Sequence, residues 1–269
     1  TTHRRAYGNR AILPSVEPMT EETIFDLASL TKVVATAPAI LILIETGRVK
    51  LDAPATNYLP EFTGEKKEGV TIRHLLTHTS GLRPGLGRRD EWSGTAKAIE
   101  FACGEKLRVP TGTKFIYSDI NYILLGEIVR RVSGQDLHAF TRAEIYGPLG
   151  MINTGFLPPE RVQSRIAPTE KLRDGSILRG TVHDPTSRRM GGIAGHAGLF
   201  STTKDLSRYA QMLLNHGELD GRRVFKPESI RMMTEIQSPP EVREARGIGW
   251  DIDSGYSGPR GRLFPGGSF

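Results

Sequence analysis

The longest apolar stretch of the chain, Val33 to Ile44, constrains the fold most. It is shorter than the roughly 20 apolar residues that a bilayer-crossing helix needs, and it contains Pro38. No window long enough to span is free of charged residues, so no membrane span is expected. Such a run must be buried by the rest of the chain. Val33, Val34, Ala37, Ile40, Leu41 and Ile44 recur on one helical face, which predicts a core helix from about Ser29 to Glu45. Gly47 stands where a left-handed residue ends a helix. Pro38 cannot donate to the Val34 carbonyl, which predicts a kink. The 269 residues are enough to bury that helix in one large domain or two small ones.

Helical patterning dominates the middle of the chain. Short helices are expected at Thr71–Thr77 and Thr95–Phe101, and a strong one at Ile120–Val132 with Gly134 behind it. Leu137–Tyr146, the amphipathic Thr203–Asn215 and Pro227–Glu235 follow. Strands are scarce between 60 and 200, where 151–190 reads as loop with one hairpin at Asp174-Gly175. Residues 3–13, with a turn signal at Gly8-Asn9, and 246–253 read as pieces of a sheet. The outline is an α+β protein. Residues 1–60 and 200–269 form a sheet-containing region, 61–199 a mainly helical one.

Several function classes fall away. Cys103 is the single cysteine, so neither an internal disulfide framework nor a multi-cysteine zinc site exists. The compartment stays open, cytoplasmic or exported. The net charge of +6 is dispersed in short pairs, Arg4-Arg5, Arg88-Arg89 and Arg222-Arg223, so no nucleic-acid partner is expected. His74 and His78 have a zinc-compatible spacing, and His183-Asp184 with His196 could suggest a metal pair. No carboxylate cluster supports them, so packing or hydrogen bonding is expected, with no metal and no cofactor. The glycine-rich Gly191–Gly198 lacks the Lys-Ser/Thr of a phosphate loop. No Gly-x-Ser-x-Gly elbow exists. Trp92 and Trp250 line a cleft or fill core.

Ser-x-x-Lys occurs twice, at Ser29–Lys32 and Ser201–Lys204. Residues three apart on a helix share a face, so the amine stands beside the hydroxyl. A helix N-terminus favours a developing alkoxide, and a lysine near cations and partly out of water can act as a base. Ser29 follows the apolar approach Ile24–Ala28, expected to bury the site, and opens the core helix. Ser201 instead precedes an amphipathic helix with Asp205 in its first turn and reads as a cap. In Phe115–Tyr122, Tyr117 could shuttle a proton and Asp119 could hold the lysine or a substrate amide. Alternatively, Ser118 or Asp119 caps a helix and the tyrosines pack. Asp26 reads as a turn residue.

Ser29-Leu-Thr-Lys32 with Tyr117-Ser-Asp119 resembles the first two motifs of the serine β-lactamase and penicillin-binding-protein superfamily, on its class C side. The resemblance extends over Thr23–Lys32, His74–Leu82, Pro110–Ile128, Gly195–Thr202 and Gly249-Trp250, in the family's order. It implies an antiparallel sheet flanked by helices, an all-helical region, and an active site between them. Ser29 is then the acylated nucleophile, Lys32 the base or electrostatic partner, Tyr117 the proton shuttle. The Ser29 N–H is one oxyanion donor, Asp119 and His196 (placed near the rim) contact substrate, and His78 is structural.

Two departures matter. The family usually has Asn where Asp119 stands, and an added carboxylate favours charged lysine, which shifts the base role to Tyr117. The third motif, His or Lys followed by Thr/Ser-Gly, is absent. Leu263–Phe269 resembles what precedes it, and the chain starts at Thr1, so both ends read as cut and the piece alone as inactive. The expected activity is a serine hydrolase with an acyl-serine intermediate on a small ester or amide. A carboxylesterase is favoured. The alternatives are a β-lactamase or D-alanyl-D-alanine carboxypeptidase, with a β-lactam or peptidoglycan peptide as substrate, and a non-catalytic ligand-binding relative. The Arg83–Asp90 loop and 151–190 would shape the pocket.

Overall fold

A computed structural model describes residues 3–87 and 91–255. Thr1, the Arg88-Arg89 pair, Asp90 at the loop's end, and Leu263–Phe269 lie outside the described residues.

Every strand pair is antiparallel, and most strands have only two residues. β1 (Asn9–Ala11) pairs with β2 (Glu17–Pro18), so the chain reverses between Ala11 and Glu17, not at Gly8-Asn9 as expected. A three-stranded sheet lies at the centre, formed by β3 (Phe25–Asp26), β4 (Gly155–Phe156) and β7 (Leu199–Ser201). β7 runs in the middle and is buried throughout, with Phe25 opposite Ser201 and Gly155 opposite Phe200. β5 (Glu170–Lys171) and β6 (Ile177–Leu178) form the hairpin expected at Asp174-Gly175. β8 (Glu218–Leu219) pairs with β9 (Arg222–Arg223), and β10 (Ala245–Arg246) with β11 (Asp251–Asp253).

The apolar run does become the core helix, but not as one kinked α-helix. A 3₁₀ turn (Ala28–Leu30) leads into a π turn (Lys32–Thr36), and α1 (Ala37–Glu45) follows. In the π turn the Ala37 N–H reaches back to the Lys32 carbonyl. Pro38 therefore falls in the first turn of α1, where a missing N–H costs nothing. Gly47 closes the helix with a left-handed φ of 71°. By length and composition the stretch from Ala28 to Glu45 could cross a bilayer. Most of it is buried inside the protein, packed against other helices.

α2 (Ile72–Leu76) is capped reciprocally by Thr71 and the His74 ring. α3 is Thr95–Gly104, α5 Leu137–Thr141, α6 Pro185–Arg189, α7 Thr203–Leu214 and α8 Pro227–Thr234. Between them, α4 (Asp119–Ser133) packs on α1, α2, α3, α5 and the π turn. It buries Ile120, Ile123, Leu124, Leu125, Ile128 and Val129, each contributing about 1.5–3 kcal/mol. Gly134 ends it in the left-handed position.

One close approach fixes what lies over α4. A Cβ on Gly195 would sit 1.9 Å from the Tyr122 carbonyl oxygen, so only glycine lets the 190–198 segment touch this helix. Thr36 Oγ1 ties the same residue to the π turn by donating to the Gly195 carbonyl at 2.6 Å.

Candidate active site

Ser29 sits in the 3₁₀ turn that leaves β3. Asp26 shapes this turn, as its sequence context suggests. Its carboxylate accepts the Ala28 N–H at 2.8 Å and the His183 N–H at 2.7 Å. Ala28 takes a φ of 45°, a left-handed conformation that costs about 1–3 kcal/mol and persists because the surroundings enforce it. Buried Thr31 donates to the Ala28 carbonyl and accepts the Leu199 N–H of β7. The expected burial of the serine is not found: Ser29 is exposed, and Lys32 beneath it is only 2% exposed.

The Lys32 ammonium is the hub. It donates to Ser29 Oγ at 3.1 Å and to the His196 carbonyl at 3.2 Å. It also pairs with Asp119 Oδ1 at 2.7 Å and lies 4.8 Å from the Tyr117 ring centre. Four predicted residues thus meet one amine. A simple depressed-base scheme would set the lysine among cations; among the described residues its contacts are instead one carboxylate, a hydroxyl, a backbone carbonyl and two aromatic rings. Asp119 opens α4, where its own N–H donates to the Pro84 carbonyl at 2.6 Å. The start of α4 is further held by Ser118, whose hydroxyl donates to the Arg83 carbonyl.

His196 contributes its backbone to the lysine, and its ring is buried behind the site, not placed at the rim. The ring Nε2 donates to Asp184 Oδ1 at 2.9 Å, and the same carboxylate caps α6 through the Ser187 N–H. Burial alone would raise the Asp184 carboxyl. The His196 hydrogen bond and charge, together with Lys32, hold it down at about 2. Asp119, Asp184 and His196 each present a ligand atom within 4.8 Å of the others. The carboxylate partner that the sequence did not offer His183-Asp184 and His196 is therefore Asp119, brought by the fold. These groups could hold a cation, and the Lys32 ammonium already supplies positive charge beside them.

Other expectations resolve differently. Ser201 is buried in β7 and bonds Thr154 Oγ1 at 2.7 Å, Lys204 is exposed, and Thr202, not Ser201, caps α7. His74 caps α2, whereas His78 turns toward Tyr117, so the pair does not act as one ligand set. Trp92 packs edge-on against Phe101. Trp250 packs partly buried against the core. Thr31 has no role in the sequence reading, Asp184 appears there only as half of a possible metal pair, and Gly195 only within a glycine-rich run; the contacts that tie them to the site are tertiary. A cleft of about 1060 Å³ lies away from Ser29, lined by Ile99, Ile123, Gly126 and Ile193 among others.

Comparison with known proteins identifies the family. The family model described as Beta-lactamase matches residues 1–268. The N-acetylmuramyl-L-alanine amidase of Bacillus subtilis (strain 168) is 31% identical over 92% of this chain and 62% of its own length. The chain thus spans less than two thirds of that relative. The octameric penicillin-binding protein homologue from Pyrococcus abyssi superposes with a TM-score of 0.68 at 29% identity, covering 87% of this chain and 54% of that one. A penicillin-binding protein homologue from Caulobacter crescentus gives 0.70 at 25% identity, over 88% and 69%.

Proposed function

Because the chain belongs to the beta-lactamase family, in the serine β-lactamase and penicillin-binding-protein superfamily, we propose that it serves an acyl-serine hydrolase acting through Ser29. The observation that carries this reading is the 3.1 Å contact between the buried Lys32 amine and the exposed Ser29 hydroxyl. Tyr117 acts as the phenolate, favoured by the Lys32 ammonium over its ring, and takes the hydroxyl proton to become the phenol. Ser29 Oγ attacks the substrate carbonyl, and the Ser29 N–H receives the developing oxyanion. The C–O or C–N bond breaks, and the leaving alcohol or amine takes the proton from Tyr117. Water then cleaves the acyl-serine ester and restores the hydroxyl. Asp119 holds Lys32 in place by their ion pair, and His196 backs it with a carbonyl. In the proposed two-region division, 1–60 brings Ser29 and Lys32 to the site, and 61–199 brings Tyr117, Asp119 and His196.

Two substrate classes follow. A peptidoglycan-type amide is supported by the name of the Bacillus subtilis relative, and by Asp119, whose second carboxylate oxygen can accept a substrate N–H. A carboxylesterase substrate is supported by the exposure of Ser29 and Leu30, which leaves the hydroxyl open to small esters. The test compares the full-length protein with its Ser29→Ala variant. Each is treated with a fluorophosphonate and weighed intact, then assayed on N-acetylmuramyl-L-alanine, p-nitrophenyl acetate and nitrocefin. Wild type is expected to gain one adduct and the variant none. An unlabelled wild type makes the protein a binder, and equal turnover by both removes Ser29 from its role.

A further inference from the structure

His78 surrounds Tyr117 on three sides. It follows α2 with a left-handed φ of 60°. That twist turns its carbonyl and its ring toward the same segment. The carbonyl accepts the Ile116 N–H at 2.9 Å, and ring Nδ1 accepts the Ser118 N–H at 3.0 Å. These are the amides on either side of Tyr117. The ring itself lies against the Tyr117 ring, with centroids 4.4 Å apart and planes 32° off parallel. Tyr122 and Phe115 close the other faces at 5.0 Å and 6.0 Å. The imidazole is 1% exposed.

We propose that His78 is the positioning residue of the proton shuttle, fixing the Tyr117 phenol over Lys32 by this two-amide bracket and ring contact. The inference rests on the serine-hydrolase reading above. Because Nδ1 accepts an N–H, the imidazole is neutral, with its proton on Nε2. Burial, then Arg246 of β10 and Lys32 of the π turn, keep it so by holding its titration well below the usual range. No other side chain does both jobs. Phenylalanine would stack but strand the Ser118 N–H, a buried donor. Asparagine could accept that N–H but offers no ring face.

The experiment measures kcat and KM on p-nitrophenyl acetate for the full-length protein and its His78→Phe, Tyr117→Phe and double variants. His78→Phe is expected to lower kcat about 10- to 100-fold, with KM within about two-fold, as a displaced catalytic group does. In the Tyr117→Phe background the same change is expected to cost nothing further, because there is no phenol left to aim. An equal loss in both backgrounds, a rise in KM alone, or full activity of His78→Phe overturns the inference. If His78→Phe does not fold, His78→Asn takes its place, with an expected loss of roughly 3- to 10-fold that also vanishes without the phenol. A wild type that forms no adduct at Ser29 overturns the underlying reading and this inference together. A labelled wild type slowed by Tyr117→Phe but not by either His78 variant overturns this inference alone.

Discussion

At the scale of residues, the site separates an exposed reactive atom from a buried means of control. Ser29 touches solvent, so Ser29→Ala is expected to change stability by less than about 0.5 kcal/mol while abolishing the adduct. Asp119 behaves oppositely. Its carboxylate is the closest anion to an ammonium that is almost fully enclosed. Asp119→Ala leaves that charge partly uncompensated, with Asp184 nearby, and is expected to cost about 2 kcal/mol in urea unfolding. A variant as stable as wild type would mean that the pair does not hold the site. Ser29 and Lys32 were readable because their contact is local, one helical turn apart. Asp184 was not. It stands beside His196 and feels the Lys32 charge through the tertiary fold alone, and in the sequence it is noted only as half of a possible metal pair.

Elements show the same division. Helices with long apolar faces, such as α4 with its Gly134 stop and α7, match their pattern within a few residues. The π turn escaped, since one extra residue per turn leaves the apolar count of Lys32–Thr36 nearly unchanged. Strands of two residues are too short to alternate, so the β4 sequence has the pattern of a loop. Packing between elements is where glycine matters most. Gly195→Ala would drive a methyl into the Tyr122 carbonyl of α4, with backbone on both sides of the clash. The 190–198 segment must then lift, and the His196 carbonyl leaves Lys32 with it. The expected outcome is a loss of about 2–3 kcal/mol in thermal or urea unfolding and a drop in acylation rate. Unchanged values for both would show that this contact is slack.

For the whole molecule, acid acts in two stages. Burial is the first cause that holds His74, His78 and His138 below 6.5. As pH falls through 6.5 the unfolded chain takes up protons that the folded chain refuses, so stability is fully present above that pH and declines below it. Asp184 defines a later stage, with its carboxyl at about 2 when folded against 3.8 otherwise. Its contribution, about 2 kcal/mol, is present above pH 3.8 and lost as pH drops toward 2. Urea midpoints measured across pH are expected to show both stages, and Asp184→Asn to shrink only the lower one. A lower stage of unaltered size would assign it to other carboxylates. β7 carries one more consequence. Its Leu199 holds Leu27 and Thr31 on either side of the serine turn, and His196 lies just upstream on the same thread of chain. Hydroxyl, amine and the carbonyl behind them are therefore stitched along a single seam, whereas the phenol arrives from a separate helix start. A change that shifts the start of α4 alone would therefore carry the phenol away and leave the nucleophile still dressed but without its courier.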